Sequence, residues 1–192
     1  MVSAILLAAG ESRRMGEPKQ LMPFGKTTIL EHTIDNLLNS RLGEVIVVLG
    51  HRADEVMKKI IIKPIKIAIN PIHHQGISTS IAAGLDLVDS QAQAVMLALG
   101  DQPLINSQTI NILIDEFHHH RKGIAIPTYR GRRGHPIIFA TRYKKKLLEL
   151  KGDIGGRQII RDHPDDVLEV AVNSESIITD IDTAGDYQSH IG

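Results

Sequence analysis

The chain contains no cysteine and no tryptophan, and its aromatic rings otherwise amount to three Tyr and three Phe. Without cysteine there are no disulfides, no thiolate metal sites and no cysteine nucleophile. So few rings argue against an aromatic platform for single-stranded nucleic acid. Neither sign of charge is in excess, since 22 basic residues face 22 acidic ones among 192. A nucleic-acid partner held by bulk phosphate attraction is therefore not expected, although a local basic site remains open. Long apolar runs are also missing, and nothing approaches the roughly 20 residues of a membrane helix. The apolar opening from Val2 to Ala9 stops at Gly10 with no basic region ahead of it, unlike a secretory signal. The expectation is a soluble, cytoplasmic protein with no membrane partner.

What is present is an alternation of two patterns. Val2 to Ala8, Glu44 to Leu49 and Ala94 to Leu99 are short and almost continuously aliphatic, as strands buried on both faces of a parallel sheet are. Ile65 to Ile69 and Gly123 to Ile126 predict further, shorter strands. Between them, Thr28 to Leu38, Ser78 to Val88 and Ser107 to Phe117 carry apolar residues at helical spacing. Strands alternating with helices imply βαβ units and an α/β sandwich around a mostly parallel, Rossmann-like sheet. Beyond Pro127 the pattern is less regular. A Gly-Arg-Arg-Gly turn at 131–134 leads into a small apolar run from Pro136 to Phe139, read as a β excursion. With no repeat, low-complexity tract or linker in view, residues 1–192 are expected to form one domain.

In such sheets ligands bind beyond the carboxyl ends of the strands. The predicted strands end in polar, Gly-containing turns: Ala9-Gly10-Glu11-Ser12, Gly50-His51 and Gly100-Asp101-Gln102-Pro103. Small residues after the first strand let backbone N–H groups approach an anion. Arg13, Arg14 and Lys19 then supply cations suited to a triphosphate, or else form a solvated surface loop. The spacing matches neither a P-loop nor a dinucleotide fingerprint. Asp101 follows a buried strand, where a carboxylate can hold a hard cation or simply shape a turn. The Ser78-Thr79-Ser80 cluster stands at a predicted helix start, which suits either a phosphate or base edge or plain capping by Ser78.

Leu7-Ala8-Ala9-Gly10-x-Ser12-x-Arg14-Met15-Gly16-x-x-Lys19 resembles the signature of MobA-like nucleotidyltransferases, and most of all their molybdenum cofactor cytidylyltransferase branch. Later segments agree in order: Asn70-Pro71 with Gly76 and Ser80, Gly100 to Pro103, Gly134-His135-Pro136, Gly152 to Arg157, and Asp180 to Thr183. The resemblance implies a three-layer fold of the nucleotide-diphospho-sugar transferase type. It also implies transfer of CMP from CTP to the terminal phosphate of a molybdopterin acceptor, with Mg²⁺ or Mn²⁺. Arg14, Lys19 and Asp101 would be catalytic. Leu7, Ala8, Ala9, Gly10, Lys19, Asn70 and Ser80 would bind the nucleotide, and His135, Asp153 and Arg157 the acceptor. Asp101 and Asp182 would hold the metal, with Asp180 a substitute and helix capping a rival role for Asp182. A molybdoenzyme or an insertion chaperone is the implied protein partner. Ala184-Gly185 departs from the Pro and acidic residue usual in relatives, which loosens the match around Asp182.

One other feature, a run of three histidines, does not point to a metal site. His118-His119-His120 cannot converge on one ion from a helix, because consecutive residues point about 100° apart. A helix end with its macrodipole complemented is the expected role. Two rival functions share the pattern: transfer to a different acceptor (from GTP to molybdopterin, or to a sugar or isoprenoid phosphate), and a non-catalytic module that binds or inserts the cofactor.

Overall fold

The computed structural model describes residues 1–12 and 18–190. In chain order the strands are β1 (Val2–Ala8), β2 (Pro23–Phe24), β3 (Thr27–Thr28), β4 (Glu44–Leu49), β5 (Lys66–Ile69), β6 (Ala94–Leu99), β7 (Ile124–Tyr129), β8 (Arg132–Arg133), β9 (Ile137–Ala140) and β10 (Val167–Ala171). The helices are α1 (Ile29–Leu38), α2 (Ala53–Ile60), α3 (Ile77–Leu85), α4 (Ser107–His119), α5 (Lys144–Leu148), α6 (Arg157–Asp162) and α7 (Ala184–His190). None of the described helices is long and apolar enough to cross a membrane.

An eight-stranded sheet runs in the order β10-β7-β9-β6-β1-β4-β5, with β8 paired to β7. Its centre is parallel: Leu7 of β1 lies opposite Leu99 of β6 on one side and Val48 of β4 on the other. The continuous aliphatic runs are explained by what covers them. Ala4 and Leu6 face Leu30, Ile34 and Leu37 of α1, Val56 and Ile60 of α2, and Ile110 and Leu113 of α4. Ile5, on the opposite face, packs with Ile81 and Leu85 of α3, Leu147 of α5 and Ile159 of α6. Each such Leu, Ile or Val side chain, fully withdrawn from water, contributes roughly 1.5–3 kcal/mol. The result is a three-layer α/β sandwich with a mostly parallel sheet.

Helix boundaries follow local chemistry. The Thr28 hydroxyl accepts the Glu31 N–H while the Glu31 carboxylate accepts the Thr28 N–H, a capping box that starts α1. Asn106 caps α4 by accepting from the Thr109 N–H. The three histidines do end that helix. Nδ1 of His118, His119 and His120 donates to the carbonyls of Ile114, Asp115 and Glu116 at 2.9, 2.8 and 2.9 Å.

Three features depart from the sequence reading. The run at 136–139 is not an excursion from the sheet. As β9 it is inserted between β6 and β7, antiparallel to both. The helix predicted over Ser78 to Val88 stops at Leu85. Ser78 does not cap it either, because Gly76 is the capping residue and Ser78 lies within the first turn.

Candidate active site

The loop leaving β1 is held by one glutamine. Gln20, 4% exposed, donates from Nε2 to the carbonyl oxygens of Ala8 (3.1 Å) and Gly10 (3.0 Å). Ser12 donates to Gln20 Oε1 at 3.3 Å and accepts the Lys19 N–H at 3.1 Å. These bonds tie Ser12 to Lys19 and Gln20 to the end of β1, and so hold Lys19 at the carboxyl ends of β1 and β6. Gln20 escaped the sequence reading, since nothing in its neighbourhood marks a glutamine as the loop's anchor. Arg14, an expected catalytic cation, lies outside the described residues, as does Arg13.

Lys19, Asp101 and Asp182 converge. The Lys19 ammonium donates to Asp101 Oδ2 at 2.5 Å and to Asp182 Oδ1 at 2.8 Å. Burial works against the charged lysine, but the two carboxylates more than offset it and hold its pKa above the usual value. Asp101 is fixed through its backbone, its carbonyl accepting the Ile181 N–H at 3.0 Å. Asp180 is turned away, accepting from Gln102 Nε2 at 2.6 Å. Burial, then repulsion from Asp101, pushes its carboxyl above the usual range. Asp182 does not cap the terminal helix. Thr183 does that, exchanging hydrogen bonds with Asp186. Buried Asp101 Oδ1 accepts no hydrogen bond from the described protein atoms. An unpartnered, buried carboxylate oxygen beside a second carboxylate is a donor set that a hard, oxygen-seeking cation fits. A cavity of about 290 Å³ opens over this cluster, lined by Leu7, Ala8, Gly10, Ser12, Gly100 and Asp101 among others.

A second cavity, about 260 Å³, adjoins the first through Leu7, Gly10 and Asp101 and reaches Ala9, His73 and Ser80. Asn70 stands behind it, 2% exposed. Its amide donates to Thr79 Oγ1 (2.9 Å) and Ser80 Oγ (3.0 Å), and its Oδ1 accepts the Ile72 N–H (3.1 Å). Asn70 thus braces the first turn of α3. The start of α3 is not an open anion site. Its Ile77 N–H donates to Asp153 Oδ1 at 3.0 Å, and its Ser78 N–H to the Gly152 carbonyl at 3.1 Å.

His135, Asp153 and Arg157 come together as the sequence suggested. They line a third cavity of about 500 Å³ with Arg133 and Arg161 on its rim. Burial, reinforced by the Arg157 charge and opposed by Asp101, lowers the His135 pKa to about 4. The ring is therefore neutral at physiological pH. Asp153 borders both this cavity and the one at Ser80, so the depressions form one continuous trough across the strand ends.

A mostly parallel sheet carrying an ammonium and two carboxylates at its carboxyl edge, beside a Gly-containing turn, defines a nucleotide-handling α/β protein. Residues 4–167 match the MobA-like NTP transferase domain, and the chain belongs to that family of nucleotidyltransferases. It is 31% identical to the molybdenum cofactor cytidylyltransferase of Escherichia coli, over 97% of this chain and 93% of that protein. It is also 31% identical to the nicotine blue oxidoreductase of Paenarthrobacter nicotinovorans, over 95% and 92%. Among solved structures, Rv0371c of Mycobacterium tuberculosis superposes with a TM-score of 0.88 at 30% identity, covering 98% of this chain and 96% of that one. A structure of Rv0371c in complex with manganese aligns with a TM-score of 0.84 at 28% identity, over 99% and 97%.

Proposed function

We propose that the chain, acting as one domain, transfers CMP from CTP to the terminal phosphate of a molybdopterin-type acceptor and releases pyrophosphate. The observation that carries this reading is the convergence of Asp101 and Asp182 on the Lys19 ammonium, at 2.5 and 2.8 Å, beside the Gly10 turn. Similarity to the E. coli cytidylyltransferase supports the choice of donor and acceptor.

In the reaction an acceptor phosphate oxygen attacks the α-phosphorus of CTP in line. The bond from that phosphorus to the oxygen bridging the β-phosphate breaks, and its electron pair leaves with pyrophosphate. No proton need be removed from an ionised phosphate, so the protein's part is positioning and charge compensation. Lys19, with Arg14 by family resemblance, holds the triphosphate and offsets charge developing at phosphorus. The Ala8-Ala9-Gly10 backbone and Ser80 face the nucleoside. His135 and Arg157 receive the acceptor. Asp101 and Asp182 would hold Mg²⁺ or Mn²⁺, which would supply further neutralisation of phosphate charge. A molybdoenzyme or insertion chaperone would take the product.

The test is pyrophosphate release by purified protein with each of the four NTPs, with and without divalent metal and molybdopterin cofactor. Release with CTP that needs both metal and acceptor is the expected result. Preference for GTP would overturn the cytidylyl assignment alone. No release with any NTP would overturn transfer itself and leave the likeness to a protein named an oxidoreductase as the better lead.

A further inference from the structure

Helix α3 has no cap of its own. Its capping residue, Gly76, carries no side chain and has φ +111°, and a Cβ there would lie 2.4 Å from the Gly152 carbonyl carbon. The end of the helix is closed instead by a segment far away in sequence. Asp153 Oδ1 accepts the Ile77 N–H and the Gly152 carbonyl accepts the Ser78 N–H, at 3.0 and 3.1 Å. From the other side Asn70 grips Thr79 and Ser80. The turn that presents Ser80 to the trough is therefore clamped between Asn70 and the 152–153 segment. Asp153 also borders the cavity of His135 and Arg157.

We propose that Asp153 is a positioning residue for the nucleotide, acting through the first turn of α3, and that it thereby couples the acceptor side of the trough to nucleotide affinity. This deepens the transferase reading and rests on it. Family resemblance assigns Asp153 to the acceptor, yet the hydrogen bond that fixes it runs to the helix on the nucleotide side. An acceptor that engages the 152–157 segment holds Asp153 against Ile77 and so favours the ordered turn. The exchange is reciprocal, because linked binding free energies are symmetric.

The experiment compares wild type, Asp153→Ala and Asp153→Asn by calorimetric titration with CTP and Mg²⁺, and by amide hydrogen exchange at Ile77 and Ser78. Thr28→Ala serves as a control, since it removes a cap of the same kind from α1 on the opposite face of the sheet. The Ala variant should bind CTP about fivefold more weakly and exchange faster at both amides by a similar factor, the usual consequence of losing a helix cap. The Asn variant keeps an oxygen for the Ile77 N–H and should stay within about twofold of wild type. Wild-type CTP affinity in Asp153→Ala, or a rise confined to the acceptor KM, would overturn the proposal. So would an Asn variant as weak as the Ala variant, or an equal loss in Thr28→Ala. If wild type binds no NTP at all, the transferase reading falls first and takes this inference with it.

Discussion

The two ends of the trough are built differently. Around the β1 turn and the start of α3, the polar groups nearest the cavity are buried and committed: Gln20 and Asn70 are 4% and 2% exposed, and every amide function of Asn70's side chain has a partner. At the other end Arg133, Arg157 and Arg161 are exposed around a cavity of about 500 Å³, against about 290 Å³ over Lys19. On the transferase reading the contrast has a physical sense. A triphosphate presents the same oxygens at every turnover, so rigid donors fixed in advance need no reorganisation. A larger phosphorylated partner is met by a rim of long cationic side chains, which adapt their rotamers to it at some cost in entropy.

Substitutions at the rigid end should therefore act on catalysis, and the largest effect is expected at Asp101. Asp101→Asn keeps the shape but removes the charge facing Lys19 and any bound cation. We expect kcat to fall roughly 10³-fold, the scale of losing a preorganised electrostatic contact. A fall in affinity for the acceptor alone would erase the division between the two ends. Lys19→Met should cost roughly 10²-fold in kcat. It should also take away the ammonium that now bridges two carboxylates at 2.5 and 2.8 Å. Nucleotide-free Mn²⁺ binding, followed by electron paramagnetic resonance, should tighten about tenfold in that variant. An unchanged Mn²⁺ affinity would mean that ammonium and metal use different oxygens.

A smaller effect tests the cavity wall that the transferase reading assigns to the base. Ala9 is 5% exposed and borders the cavity with His73 and Ser80. Ala9→Gly removes one methyl from that wall, so the ratio of CTP to GTP turnover should shift by about tenfold, within the 1–3 kcal/mol such pockets discriminate. No shift would move the choice of base elsewhere in the trough.

His135 marks the boundary between the ends, and its signature is in pH. Its folded pKa, about 4, lies below the ordinary 6.5 because burial disfavours the charged ring. The neutral state's contribution is thus fully present above pH 6.5 and is lost as pH falls through about 4. With allowance for solvent reaching a half-buried ring, roughly 2 kcal/mol of stability should disappear across that window. His135→Gln should flatten that part of the urea-denaturation profile. Lys19 behaves oppositely: its raised pKa leaves its pairing intact below pH 10.5 and lost only at higher pH.

How much of this could be read from the chain depends on how local each cause is. β1, β4 and β6 were legible because both faces are buried, which leaves a continuous aliphatic run. α1 is legible because Ile29, Ile34, Leu37 and Leu38 recur at helical spacing within one short stretch. The cluster of Lys19, Asp101 and Asp182 was anticipated as residues but not as a contact, since partners 82 and 163 positions apart meet only through the sheet order. The same distance hides the sealing of α3 by Asp153, 76 residues on from Ile77. β9 was underestimated because four apolar residues look alike whether a strand lies at an edge or at the centre. Only the pairing with both β6 and β7 separates the cases.

The least effect is expected on the adaptable rim, and its small size is itself informative. Arg133 pairs with Glu169 at 2.6 Å, both about half exposed. An exposed pair of this kind contributes about 0–1 kcal/mol, so Arg133→Ala should leave the melting temperature nearly unchanged. What it removes is one positive charge from the lip of the cavity around His135 and Arg157, the acceptor site on the transferase reading. The acceptor KM should rise about threefold at low salt, and the difference should fade above physiological ionic strength, where the screening length drops below about 8 Å. The KM for CTP should not move. A fall in kcat, or a loss that salt does not screen, would mean that Arg133 is fixed on the reacting phosphate, and that both ends of the trough are preorganised.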